Sequence, residues 1–135
     1  MRKKFRVIID TNLWISFLLT RKYTVVDDLL EKGEITLIFS QELISEFLEV
    51  VSRPKLKKFF SKTDLELLLN IIAESAEFIP VTSTVHVCRD KKDNFLLALA
   101  HDSSADFLIT GDKDLLVIKQ FEQTKIVNIT EFMVK

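Results

Sequence analysis

Val7-Ile8-Ile9-Asp10-Thr11-Asn12 is the stretch on which the reading of this chain turns. An apolar β-branched run that stops at an acid, a hydroxyl and a carboxamide fits a strand buried on both faces, as in a parallel sheet. Asp10 then stands at the carboxyl end of the strand, and the short apolar segment Leu13 to Leu19 reads as a helix leaving it. In open α/β sheets this edge is where ligands and metals bind, because its loops converge on one crevice.

Strand and helix alternate along the rest of the chain. Thr24-Val25-Val26-Asp27 is a capping-box-like start of a helix that runs to about Lys32 and ends at Gly33. Ile35 to Phe39 reads as a second strand, and Ser40 as the N-cap of a helix from Gln41 to Ser52. Pro54 interrupts, Leu56 to Phe60 reads as one turn of helix, and Thr63 or Asp64 starts a helix to about Glu74. Phe78 to Val81 is a third strand, placed at an edge or at its own end by Pro80. After a loop, Asn94 to His101 forms an enclosed helix, Phe107 to Ile109 a fourth strand, Leu115 to Ile118 a short helix and Ile126 to Ile129 a fifth strand. The pattern predicts an α/β fold, a three-layer α/β/α sandwich around a central parallel sheet of about five strands.

Composition agrees. With 135 residues, 47% of them hydrophobic, and only 2 glycines and 2 prolines, residues 1–135 are expected to form one domain with short connections. No membrane span or secretory signal is visible, and Met1-Arg2-Lys3-Lys4 leads straight into a strand, so a cytoplasmic protein is expected. The lone Cys88 excludes an internal disulfide and a thiolate zinc cluster, and reads as a buried or idle thiol. A net charge of −1 neither marks nor excludes a nucleic-acid partner, since a local basic patch suffices.

With 20 acids, position decides which of them matter. Asp10 ends a central strand, and Asp112 follows Thr110-Gly111 just past the fourth; parallel strands end at one edge, so the two are neighbours if their strands are adjacent. Glu46 borders the apolar stripe of its helix, where a carboxylate can reach over the sheet edge. Asp90 and Asp93 precede the enclosed helix, where capping is the competing role; Asp93 adjoins the apolar run and is the better candidate. Asp114 is a further acid beside the strand end, and capping competes for it and Asp112 alike. Several carboxylates at one edge repel one another unless cations neutralise them, and hard oxygen donors suit Mg²⁺ or Mn²⁺. The fitting reaction is phosphodiester hydrolysis. Two glycines cannot build a Walker loop or a dinucleotide motif, and the isolated His86 and His101 read as structural or surface residues.

Taken with Ser16, Glu46, Asp93 and Thr110-Gly111-Asp112-Lys113-Asp114-Leu115-Leu116, the opening stretch resembles the PIN-domain ribonucleases, above all their toxin-like, VapC-like bacterial and archaeal branch. The resemblance covers essentially the whole chain. It implies a strand order 3-2-1-4-5 and acidic metal-binding, catalytic residues at Asp10, Glu46, Asp93 and Asp112. Asn12 and Thr110 would support them, with Asp114 as a secondary candidate. It implies Mg²⁺- or Mn²⁺-dependent cleavage of single-stranded RNA leaving a 5′-phosphate, one or two ions in the site, a small antitoxin partner, and a homodimer or higher homo-oligomer.

The basic stretch Arg53, Lys55, Lys57, Lys58 and Lys62 around Phe59 and Phe60 is a candidate RNA guide. The favoured reading is a solvated helix face over two core phenylalanines. Trp14 reads as core or as a dimer contact. Two other functions compete: a PIN-like RNA- or protein-binding module with weak or no nuclease activity, and phosphoryl transfer through an aspartyl intermediate at Asp10 as in haloacid-dehalogenase-like phosphatases. Asn12 stands where that second family carries its next acid, which counts against it.

Overall fold

A computed structural model describes residues 4–20, 28 and 30–133. The strands are β1 (Phe5–Ile9), β2 (Ile35–Phe39), β3 (Ala76–Phe78), β4 (Phe107–Ile109), β5 (Gln120–Phe121) and β6 (Thr124–Val127). The helices are α1 (Thr11–Thr20), α2 (Gln41–Val51), α3 (Pro54–Lys57), α4 (Lys62–Ser75), α5 (Lys91–Ser103), α6 (Lys113–Leu116) and α7 (Ile129–Met133). Thr24-Val25-Val26-Asp27 lies outside the described residues; the end of that helix is described at Glu31, and Gly33 follows with φ +69°, a conformation that glycine adopts without strain.

The strands form one six-stranded sheet in the order β3-β2-β1-β4-β6-β5. All neighbouring pairs are parallel except β5 with β6. The expected order 3-2-1-4-5 therefore holds, with β6 in the place of the fifth strand and a short antiparallel strand added at the edge. β1 is central because both its faces are apolar: successive side chains point to opposite faces, and Val7, Ile8 and Ile9 are all buried. Each such side chain contributes about 1.5–3 kcal/mol through burial. Trp14, fully buried, packs on Phe17 and Phe39 at ring centroid distances of 6.1 and 5.7 Å, so its place is in the core.

Several boundaries differ from those the sequence suggests, each for a local reason. β3 ends at Phe78, ahead of Pro80, and the Ile79 N–H still reaches Phe39 O at 2.8 Å. α5 starts at Lys91 because the Asp90 carboxylate accepts the Lys92 N–H at 2.8 Å and caps it. Asn94, inside that first turn, turns its carboxamide back to accept the Cys88 N–H and donate to Cys88 O. β6 ends at Val127 because Asn128 and Glu131 exchange side-chain-to-backbone hydrogen bonds of 3.0 and 2.8 Å, a capping box that makes Ile129 the start of α7. Ser61 caps α4 through the Asp64 N–H, moving its start ahead of Thr63.

Candidate functional site

Register brings the first two acids together. Ile9 of β1 pairs with Ile109 of β4, so Asp10 and Thr110 emerge side by side at the carboxyl edge. The Asp10 N–H donates to Ile109 O at 3.0 Å, and the fully buried Thr110 hydroxyl donates to Asp10 Oδ2 at 2.8 Å. The same hydroxyl accepts the Asp112 N–H at 3.0 Å. Thr110 thus fixes both acids. Asp10 Oδ1 accepts the Asn12 N–H at 3.3 Å, while its carbonyl accepts the Leu13 and Trp14 N–H groups at the start of α1.

The remaining acids arrive from two helices. Asp93 lies in the first turn of α5, three positions before the buried run Leu96 to Ala100, and is only 5% exposed. Glu46 is half-buried on α2, whose start is fixed by the Ser40 hydroxyl accepting the Leu43 N–H. Asp10, Asn12, Glu46, Asp90, Asp93 and Asp112 all border one cleft of about 70 Å³, with Leu43, Phe95 and Leu96 as its apolar wall. One carboxylate oxygen each from Asp93, Asp112 and Asp114 lie within 4.8 Å of one another. Asp112 and Asp114 are also linked through the Asp114 N–H to Asp112 Oδ1 at 2.9 Å.

This crowding has an electrostatic consequence. The Asp93 carboxyl is pushed up to about 7, first by burial, then by the charge of Asp112 and a carboxyl–carboxyl hydrogen bond to it, with Asp90 and Asp10 adding to the same end. Near neutral pH the cluster holds a proton that a cation could replace. Its donors are all carboxylate oxygens and the cleft has room for an ion and a few waters, which fits Mg²⁺ or Mn²⁺ and fits no soft-metal site. Burial and the surrounding acids likewise push the Cys88 thiol up, which keeps it out of nucleophilic work.

Two cations stand at the rim that inspection of the acids does not reveal. Lys92 lines the cleft and approaches Glu46 at 3.8 Å, and Arg89 approaches Asp114 at 3.9 Å. The signal for them in the sequence is the alternation Arg89-Asp90-Lys91-Lys92-Asp93, in which the acids alone draw notice. The basic stretch after α2 is separate from the cleft. Arg53 pairs with Glu49 on an exposed face, and Lys57 and Lys62 line a groove with Leu48, Phe60 and Leu65; Lys55 and Lys58 do not border the acids either. Of its two phenylalanines, Phe60 packs against the core while Phe59 is exposed with the Lys58 Nζ 5.3 Å from its ring centroid. His86 is exposed, and His101 bonds Glu122 at 2.6 Å on the surface.

A family model described as PIN domain matches residues 6–114. An uncharacterized protein of Methanocaldococcus jannaschii, MJ1680, is 30% identical over 135 residues, which span 98% of this chain and 85% of that protein. A chain in the crystal structure of VapBC2 from Rickettsia felis, bound to a DNA fragment from their promoter, shares the fold with a TM-score of 0.58, covering 91% of this chain and 98% of its own at 14% identity.

Proposed function

The chain belongs to the PIN-domain family, and on that premise we propose that it is a metal-dependent endoribonuclease hydrolysing phosphodiester bonds of single-stranded RNA. The observation that carries this reading is the convergence of Asp10, Glu46, Asp93 and Asp112 on one cleft, where burial and the charge of Asp112 raise the Asp93 carboxyl. In this proposal those four residues hold Mg²⁺ or Mn²⁺ and Asp114 extends the set. The metal supplies polarisation of the phosphate and activation of a water. Thr110 keeps Asp10 and Asp112 in place through its two hydrogen bonds, and the Asn12 N–H fixes the second Asp10 oxygen. In this reading a water oxygen would bond to phosphorus as the P–O3′ bond breaks, one water proton would pass to a carboxylate of the set, and the leaving 3′ oxygen would take a proton from that carboxyl or from solvent, giving a 3′-hydroxyl and a 5′-phosphate.

The whole of residues 1–135 acts as one catalytic domain in this proposal. The likeness of fold to a chain of VapBC2 supports a further part of it, in which the protein is the toxin of a toxin–antitoxin pair, acts in the cytoplasm and works as a homodimer or higher oligomer held by a small antitoxin. No helix among the described residues is long and apolar enough to cross a membrane.

The test is cleavage of end-labelled single-stranded RNA, with matched DNA, in Mn²⁺, Mg²⁺ and EDTA, by the wild type and Asp10→Asn after circular dichroism has shown equal folding. Cleavage of RNA that needs metal and disappears in the variant supports the nuclease. Equal behaviour of the two proteins, or indifference to EDTA, overturns it in favour of a PIN-like binding module.

A further inference from the structure

The site has two lobes, and they differ in size and chemistry. Besides the acidic cleft, a recess of about 400 Å³ opens beside Asp10 and Asp112, lined by Asn12, Leu13, Ser16 and Gly111. The acidic lobe, at about 70 Å³, holds an ion and a few waters but no ring system. The larger lobe falls within the roughly 300–1,000 Å³ typical of small-molecule pockets. Asp10, Asn12 and Asp112 border both, so a phosphate held at the acids has the recess next to it.

Its walls suit a nucleoside. Asn12 and Ser16 are four residues apart on α1 and so share one helix face. Both are exposed, and among the described residues no hydrogen bond engages the Asn12 carboxamide or the Ser16 hydroxyl. A carboxamide offers a donor and an acceptor together, which is what the edge of a base presents, and Leu13, which also lines the recess, supplies apolar surface for its face. Gly111 also lines the recess, and a Cβ built there meets nothing within 4 Å.

We propose that this recess binds the nucleoside adjoining the phosphate held at the acids, and that Asn12 and Ser16 set the base preference of the protein. The inference rests on the nuclease reading for its biological meaning, but it is tested by binding alone. The four ribonucleoside 5′-monophosphates and ribose 5-phosphate are titrated in Mg²⁺ into the full-length wild type, Gly111→Val and Ser16→Leu, and followed by NMR chemical shifts. Gly111→Val fills the recess from a position without backbone strain, and Ser16→Leu fills it from α1 at an exposed site, so the two do not share a folding risk.

At least one nucleotide should bind the wild type about tenfold more tightly than ribose 5-phosphate. Both variants should erase that advantage while ribose 5-phosphate still binds through its phosphate. Equal affinity of the wild type for all five compounds, or for the four nucleotides among themselves, overturns the proposal, as does an advantage that survives in either variant; failure of every compound to bind does so too. Discrimination among nucleotides without any metal-dependent RNA cleavage would uphold the recess and remove the nuclease reading.

Discussion

Replacing Asp93 by asparagine should stabilise the metal-free protein above neutral pH while abolishing cleavage. Asp93 is 5% exposed and its carboxyl is pushed up to about 7 from an ordinary 3.8, by burial first and by the charge of Asp112 second. A carboxyl raised in this way gives its full contribution to stability below the unfolded value and loses it as pH rises through about 7. The gap corresponds to about 4 kcal/mol, an upper bound because side chains relax and water enters when the group ionises. Asparagine keeps the shape without the charge and weakens one hydrogen bond to Asp112, at a cost of about 1 kcal/mol. The expected net gain at about pH 8 is therefore ~1–3 kcal/mol, with little gain or a small loss at about pH 5. Urea unfolding of wild type and Asp93→Asn in EDTA at both pH values measures this. Mn²⁺ at the higher pH should then raise the midpoint of the wild type and leave the variant almost unmoved. A variant that is less stable than wild type by the same amount at both pH values in EDTA refutes the reasoning, because Asp93 would then be an ordinary ionised side chain.

Thr110→Val removes the hydroxyl that joins Asp10 to Asp112 at nearly constant volume. It should cost about 1–3 kcal/mol in unfolding free energy and lower kcat/KM for RNA by about 10- to 100-fold; an unchanged kcat/KM would take Thr110 out of the site. Ser61→Ala removes the cap of α4, a helix that contributes no residue to the acidic cleft, and should lose about 1 kcal/mol with kcat/KM intact. The hydrogen bond to Glu122, followed by its charge, raises the His101 imidazole above its usual range, so that pair should stabilise the fold at low pH and cease to as pH rises through the raised value. In an NMR titration the His101 midpoint should lie above that of an unpaired histidine and fall in Glu122→Gln; a midpoint that Glu122→Gln leaves unmoved contradicts the pairing.

What could be read from the sequence was what depends on short-range pattern or on a single topological rule. Val7-Ile8-Ile9 announces a strand buried on both faces, and parallel pairing then obliges Asp10 and the Thr110-Gly111-Asp112 turn to share an edge. The β5–β6 hairpin could not be read this way. Its backbone passes through left-handed conformations at Lys119 (φ +67°) and Glu122 (φ +53°), where no glycine or asparagine advertises a turn. The start of α5 was obscured by a real competition, since Asp90, Asp93 and Asn94 are all residues that cap helices, and only the fold decides that Asp90 does so while Asp93 is drawn into the cleft. Charge pairs across elements are still less legible: Lys92 meets Glu46 because α2 and α5 converge at the sheet edge, and neither residue's neighbours predict it.

Asp10 shows why a capping role and a site role need not compete. Its carbonyl starts α1 and one carboxylate oxygen accepts the Asn12 N–H, which is the work of a cap; the other oxygen is held by Thr110 from β4. The cap fixes the side-chain rotamer, and a fixed rotamer is what a carboxylate needs to present its remaining lone pairs to the cleft without losing further conformational entropy on binding. The same logic covers Asp112, which caps α6 through the Asp114 N–H while its carboxylate closes on Asp93. Capping at a strand's carboxyl end is therefore evidence for a pre-organised acid there, and the question a sequence leaves open is which other carboxylates the fold brings to meet it.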